Sequence, residues 1–225
     1  YDLEFLRLGL RTLNGEPAAT TDDEFTDAAD TYIRNLFDIC KREVDEAVRF
    51  RVATHDLLAI YATGGLGREQ AYDDDFDLLV LVNTNHENVR AYANMIVAKM
   101  NVEIAKRGSL PHYRLADHTG HYVATLDELQ NILSEDRIDT FVDQSQALEA
   151  RMLVGTSRFE QEFRERIIDR HVFGRRREYV SRMRSEIESR HSASRAMGRE
   201  LSSVKDGVGS LRDIIMMLLM YKAAY

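Results

Sequence analysis

Apolar residues recur early in the chain at the three- and four-residue spacing of a helix. Phe25, Ala29, Tyr32, Ile33, Leu36, Phe37, Cys40, Val44 and Ala47 fall on one stripe, which predicts a long amphipathic helix. Thr21 is its expected N-cap, with Asp22, Asp23 and Glu24 suited to the positive end of the helix dipole. A shorter helical piece and a polar loop ending near Pro17 precede it. The pattern then changes. Leu57 to Ala62 reads as a strand broken by Gly64, Gly65 and Gly67, and Asp75 to Val82 reads as a second strand. Beyond Asp77 this second strand is apolar on both faces, as a central strand is. His86 to Arg107 returns to helical spacing through Val89, Ala93, Ile96, Met100 and Ile104. Tyr113–Leu115 and Tyr122–Ala124 are expected as short strands around a turn at Thr119-Gly120, and Thr125 or Asp127 begins another helix. The rest reads as helical, with Phe159, Phe163, Ile167 and Ile168 on one stripe and Tyr179, Val180, Met183, Ile187, Ser194, Met197 and Leu201 on the next. The loop Lys205–Ser210 interrupts it before a last helix near Leu211.

This plan is an α/β half followed by an all-helical half. The expected divisions are a helical segment over residues 1–55, a core over 56–135 and a helical domain over 136–225. A chain of 225 residues, 44% hydrophobic and 30% charged, has the material for one large or two small cores. Its net charge of −8 argues against a generic nucleic-acid binder. The charge is uneven, since Arg158 to Glu200 holds twelve Arg against eight Asp and Glu. Cys40 is the only cysteine, which excludes an intrachain disulfide and a cysteine-rich zinc site and suits a reducing cytoplasm. On its apolar stripe it reads as a small buried hydrophobe. The longest apolar run, Ile214 to Met220, is too short to span a bilayer and is flanked by Arg212, Asp213 and Lys222, so no membrane partner is expected. No signal peptide is visible. A start at Tyr1 and an end at Tyr225, inside an apolar helical pattern, suggest a piece of a longer protein.

The candidate chemistry lies in Gly64-Gly65-Leu66-Gly67-Arg68-Glu69 and the following Asp75-Phe76-Asp77. Alternate strand residues share a face, so Asp75 and Asp77 converge while Phe76 points away. Two such carboxylates repel one another without a cation. Mg²⁺, with Mn²⁺ as the alternative, resolves that conflict by binding carboxylates together with substrate phosphates. Gly64 and Gly65 allow backbone amides close to a phosphate, and Arg68 can add a charge-assisted fork. Such a site suits in-line displacement on a nucleoside triphosphate, giving a nucleotidylated acceptor and pyrophosphate. Taken singly, a glycine turn or a solvated Asp-x-Asp is equally well structural; it is the order of the features that points to chemistry. His55-Asp56 precedes a strand and lacks the further ligands at helical positions that a metal-dependent phosphohydrolase needs; His112, His118 and His121 read as solvated loop or strand-edge histidines rather than a metal site, and Met216, Met217 and Met220 as core.

Residues 63–82 resemble the polymerase-β-type nucleotidyltransferase motif, in which a glycine pair precedes Asp-x-Asp on the next strand. GREQAYDDDFDLL is similar to the bacterial regulators of nitrogen metabolism: the uridylyltransferase of the PII signal protein and the adenylyltransferase of glutamine synthetase. Its Gly-Arg-Glu spacing matches the adenylyltransferase. The Glu69-Gln70 pair is similar to a bacterial group of nucleotidyltransferase-like proteins often linked to CBS domains. Ala150 to Gly155 resembles the uridylyltransferase's "ARFLAGD" helix-and-turn, and Lys205 to Ile214 resembles its "KEGPGGLRDI".

The resemblance implies a mixed-sheet α/β nucleotidyltransferase domain followed by an all-helical domain. It implies catalytic and metal-holding roles for Asp75, Asp77 and a third carboxylate, and nucleotide contacts for Gly64, Gly65, Arg68, Lys205 and Gly207. It also implies a PII-like or glutamine synthetase-like protein acceptor, with the Lys205–Ser210 loop folded back beside the aspartates. The departures are Ser210 and Val208 in place of Gly and Pro, Asp74 in place of Ser, and Ala116 where the family carries its third Asp. Asp117 lies one residue later, which on a strand changes the face. Either a bulge returns Asp117 to the site, or the chain is a catalytically impaired nucleotide-binding regulatory module with the same fold.

Overall fold

The computed structural model describes residues 1–48, 56–71, 76–109, 111–198, 203–205 and 207–225. The expectations for His55 and Asp75 fall outside these residues. The described chain is mixed α/β and divides into two units, residues 1–129 with 149–163, and residues 130–148 with 164–225.

The first unit opens with α1 (Asp2–Leu13) and α2 (Ala18–Val48). Thr21 is not the cap of α2. The helix starts earlier because Pro17, placed just ahead of the first turn, accepts from the amides of Thr20 and Thr21 through its carbonyl. Thr21 is buried inside the helix, with its hydroxyl donating to the carbonyl of Ala18. The apolar stripe of α2 is inside as expected, and burial pushes the Cys40 thiol up to about 11. A thiol so buried is a poor nucleophile.

Four strands, β1 (Leu58–Ala62), β2 (Leu78–Val82), β3 (Val123–Thr125) and β4 (Arg151–Val154), form a mixed sheet in the order β3-β2-β1-β4. β1 and β2 are buried on both faces and run antiparallel, with Ile60 opposite Val80. Leu58, Ile60, Ala62, Leu78, Val80 and Val82 share a core with α2 and with α4 (Glu87–Lys106). Across the sheet, Tyr61 stacks on Phe163, with ring centroids 4.5 Å apart, from α8 (Ser157–Phe163). Covering both faces explains why these strands read as continuous apolar runs; each fully buried Leu, Ile or Val is worth about 1.5–3 kcal/mol of transfer free energy.

The edges depart from the sequence reading. Arg151–Val154 is a strand, β4, antiparallel to β1, within the stretch expected to be helical; the Ala150–Gly155 motif is therefore a strand and not a helix-and-turn. So short an apolar run shows no period of its own, and its state is set by the open edge of β1. Tyr113–Leu115 is not a strand either. His112 makes one parallel bridge beside Asp77, after which the chain leaves the edge, turns through the single-turn helix α5 (Ala116–Thr119), and returns as β3 (Val123–Thr125) parallel to β2. α3 (Gly64–Gly67) is likewise a single turn, between β1 and β2. Thr125 then starts α6 (Leu126–Ser134): its hydroxyl accepts from the Glu128 amide at 3.0 Å, and the Glu128 carboxylate accepts from the Thr125 amide at 2.8 Å. This reciprocal pair is a capping box.

The second unit contains α7 (Thr140–Glu149) up to Leu148, a π-helical stretch at Arg164–Phe173, α9 (Arg176–Ala196) and α10 (Leu211–Ala224). Leu148, Val172, Tyr179, Met183, Met216, Leu219 and Ala223 form its core. Of the three methionines expected there, Met217 is instead exposed. Two polar pairs lie inside it: Tyr179 with Ser145 at 2.8 Å, and the His171 carbonyl with the Gln144 side chain at 2.7 Å. His171 itself is buried, and its Nε2 has no partner among the described residues.

Burial, then the charges of Arg170 and Arg175, push the His171 pKa below its ordinary value. The unfolded chain therefore takes up the proton first as pH falls. The stability gained by keeping His171 neutral is complete above about pH 6.5 and is lost as pH falls through the lowered folded value. Denaturant midpoints measured from about pH 8 to about pH 5 should fall for the native chain and fall less for His171→Phe; equal slopes would exclude His171 as the source.

Candidate functional site

β1 delivers the chain to Thr63, which is still extended and whose amide donates to the Asp77 carbonyl at 2.9 Å. The next residue must then turn sharply, and Gly64 does so at φ +56°. Glycine is needed there twice. Its φ is left-handed, where a Cβ is strained, and a Cβ at that point would overlap Oδ2 of Asp77 and fall 3.0 Å from its Cγ. The Asp77 carboxylate thus rests in the space that any other residue at 64 would fill. Gly67 is similarly confined, with a Cβ falling 2.7 Å from the Glu149 carbonyl.

Hydrogen bonds close the far side of the turn: the Gly67 amide to Thr63 at 2.8 Å, Arg68 to Gly64 at 3.2 Å and Gln70 to Gly65 at 2.9 Å. The amides of Gly64, Gly65 and Leu66 have no acceptor among the described residues. A run of unpaired amides beside a carboxylate is a place where a cation and a phosphate can be held together. Glu69, which follows the turn, sits at φ +62° without being glycine, a strained conformation of the kind that gathers at functional sites.

Phe76 enters the helix-side core, within 5.9 Å of the rings of Tyr1 and Tyr32. Asp77 directs Oδ1 at Nδ1 of His112, 3.0 Å away, and Nε2 of the same ring lies 3.7 Å from Oδ2 of Asp117. Asp77, His112 and Asp117 therefore stand in line, with one imidazole between two carboxylates. Asp117 reaches this line from α5, outside the sheet, and its side chain is 57% exposed. No bulge brings it there. Excursion of the chain at 113–122 replaces the expected strand, and His112 takes the place beside Asp77. Among the described residues, no three His, Cys, Asp or Glu side chains already surround a metal position.

Arg68 turns to Glu149, a buried carboxylate 2.6 Å from its Nη1, and to Gln70 at 3.2 Å through Nε. Nη2 makes no hydrogen bond among the described residues. Glu149 and His112 were not singled out for the site by sequence. His112 was legible only as one of three neighbouring histidines, and Glu149 carried no signal of its own in the sequence.

Lys205 and Gly207 belong to the second unit. Their loop is closed on itself: the Gly207 amide donates to Ser203 at 2.9 Å and the Gly209 amide to Oδ2 of Asp213 at 2.8 Å. At the start of α10 the amides of Leu211 and Arg212 donate back to Val204 and Lys205. Asp213 is buried and is held by His191 at 2.6 Å and Arg190 at 3.5 Å. Burial works against its charge, but His191, the Gly209 amide and Arg190 keep its carboxyl below the usual range. The amides expected to face a ligand are thus spent on the protein, while the Lys205 side chain is exposed. Compared with known proteins, the chain matches no family model and no curated protein.

Gly64→Ala should cost about 1–2 kcal/mol from the left-handed backbone alone and should also displace the Asp77 carboxylate. Glu69→Gly should stabilise by about 1 kcal/mol by relieving its backbone. Thermal unfolding of the two variants should move in opposite directions; a shift of the same sign in both would contradict this account of the turn.

Proposed function

We propose that the first unit is a polymerase-β-type nucleotidyltransferase core that moves a nucleoside monophosphate from a triphosphate to an acceptor, a side chain of a PII-like or glutamine synthetase-like regulatory protein. The observation that carries this reading is the Asp77 carboxylate seated against Gly64, next to the amides of Gly64, Gly65 and Leu66, which have no acceptor among the described residues. Carboxylate oxygen and amide N–H groups lie on adjoining elements, which is what a cation shared with a phosphate chain requires.

The donor chemistry fits Mg²⁺, or Mn²⁺ in its place. Asp77 is engaged by no Lys or Arg among the described residues, and the exposed Asp117 faces the same imidazole. Asp77 and Asp117 would hold the ion, with Asp75 added by the resemblance. When bound, the ion neutralises charge on the triphosphate and polarises the bond to pyrophosphate. The chain's own groups do the rest. The free amides orient the phosphates, and Nη2 of Arg68 is available to one of their oxygens. His112, half-exposed and now bonded to Asp77, would have to release that carboxylate for it to hold an ion. The acceptor hydroxyl gives up its proton to water, and its oxygen bonds to the α-phosphorus as the bond to the leaving pyrophosphate breaks.

A second reading, a nucleotide-binding regulatory module without turnover, is favoured by one observation. Asp117 stands on α5, separated from Asp77 by His112, and not on a strand beside it.

The two readings share triphosphate binding and differ in pyrophosphate release. With Mg²⁺ present, one of the four triphosphates should raise the melting temperature, equivalent to about 2.7 kcal/mol at a concentration near 100 Kd. Asp77→Asn should lose that response yet melt no lower than the native chain without ligand, since asparagine keeps the side chain's shape and an oxygen for the His112 ring. No response to any triphosphate with either cation would sink both readings; binding without pyrophosphate release would leave the second.

A further inference from the structure

The Ala150–Gly155 segment contains a residue placed to govern the glycine turn. Arg151 opens the edge strand β4, opposite Ala62 at the end of β1. Both terminal nitrogens of its guanidinium bond to the carboxylate of Asp30 on α2, Nη2 reaching Oδ1 at 2.8 Å. The same Nη2 donates to the carbonyl of Leu66 at 3.1 Å, in the middle of the turn. Asp30 is an acid on the inner side of α2, only 5% exposed, and it holds the guanidinium in place with Arg34 as a second partner. The ion pair raises the Arg151 pKa further, so the guanidinium is always charged.

An ion pair alone would need only Asp30. The additional bond places a fixed cation at the carbonyl end of a turn whose leading amides have no acceptor among the described residues, and so fixes the direction in which those peptide groups point. On the other side, Arg68 ties the turn to Glu149. The turn is thus bracketed by two arginines, each anchored on a buried carboxylate, and it carries the strained Glu69, whose carboxylate lies 3.8 Å from Nε of Arg151.

We infer that Arg151, anchored by Asp30, is a positioning residue: it holds the Gly64–Gly67 turn so that its free amides and the Asp77 carboxylate keep one geometry, and it thereby sets affinity for the triphosphate. The part concerning triphosphate rests on the function proposed above; the hold on the turn does not.

The test uses Arg151→Lys in the full chain. Lysine keeps a cation for Asp30 but cannot span Asp30 and the Leu66 carbonyl with one planar fork. Amide hydrogen exchange over residues 63–70 without nucleotide should quicken about fivefold, and triphosphate affinity with Mg²⁺ should weaken about tenfold. Leu153→Ala, a core change in the same strand, should lower the melting temperature without altering either quantity relative to the native chain. Should Arg151→Lys not fold, Asp30→Asn supplies the same readouts, because it loosens the anchor and leaves Arg151 beside Leu66. Unchanged exchange in the turn overturns the inference whatever the nucleotide does. Faster exchange with unchanged affinity also overturns it, leaving Arg151 a structural residue. If the native chain binds no triphosphate, the nucleotidyltransferase reading fails, and the exchange measurement still decides whether Arg151 holds the turn.

Discussion

The first unit is organised around a space that one glycine leaves empty. The Asp77 carboxylate occupies the volume where a side chain at residue 64 would be, and Gly64 can leave β1 at φ +56° only because it has no side chain. The carboxylate and the turn therefore define each other's position. The Thr63 amide bonded to the Asp77 carbonyl carries the β1–β2 pairing one step past the strands, so the two segments reach this point in register. A shift of one residue in that pairing would move Asp77 to the helix side of the sheet and Phe76 to the turn.

Most of the remaining architecture steadies that junction. α2 and α4 cover one face of the sheet and α8 covers the other, so β1 and β2 have no freedom to change register without exposing apolar surface. Phe76, next to Asp77 in the chain, is locked among Tyr1, Tyr32 and the Arg107 guanidinium, which lies 4.3 Å from the Tyr1 ring centre and 4.9 Å from that of Tyr32. Arg68 and Arg151 fasten the turn from two sides to carboxylates that would be costly to bury unpaired. The sheet edge beside Asp77 is the less regular part. The chain makes one bridge there at His112, departs, and returns as β3, and this departure brings Asp117 near the imidazole.

The second unit solves a different problem. A π-helical stretch interrupts regular helix, and its buried polar groups need partners from elsewhere. Gln144 takes the His171 carbonyl, Lys222 takes the carbonyl of Leu148 near the end of α7, and Asp213 gathers the Gly209 amide, His191 and Arg190. The late glycine motif is closed by this last cluster. Its amides serve the loop and the first turn of α10.

By itself the sequence determined what depends on neighbours along the chain. The apolar stripes of α2 and α4 follow from helical period, the all-apolar β2 from length and composition, the start of α6 to within two residues from Thr125 or Asp127, and the burial of Cys40 from its stripe. The turn at Gly64–Gly67 and the face change between Phe76 and Asp77 were legible for the same reason, as local geometry. Tertiary structure decided what depends on residues far apart. Arg151–Val154 is a strand only because β1 offers an unpaired edge, and four residues carry no period from which to read that. Nothing near Asp117 in sequence shows that the chain leaves the sheet after His112, since the choice between strand and turn rests on pairing with β2. Asp30, an acid on the inner side of a long helix, was not singled out by sequence, because its partner lies on β4. Which carboxylate meets which arginine, and which amides stay free, is settled by packing, because buried polar groups must be paired by whatever the fold brings to them.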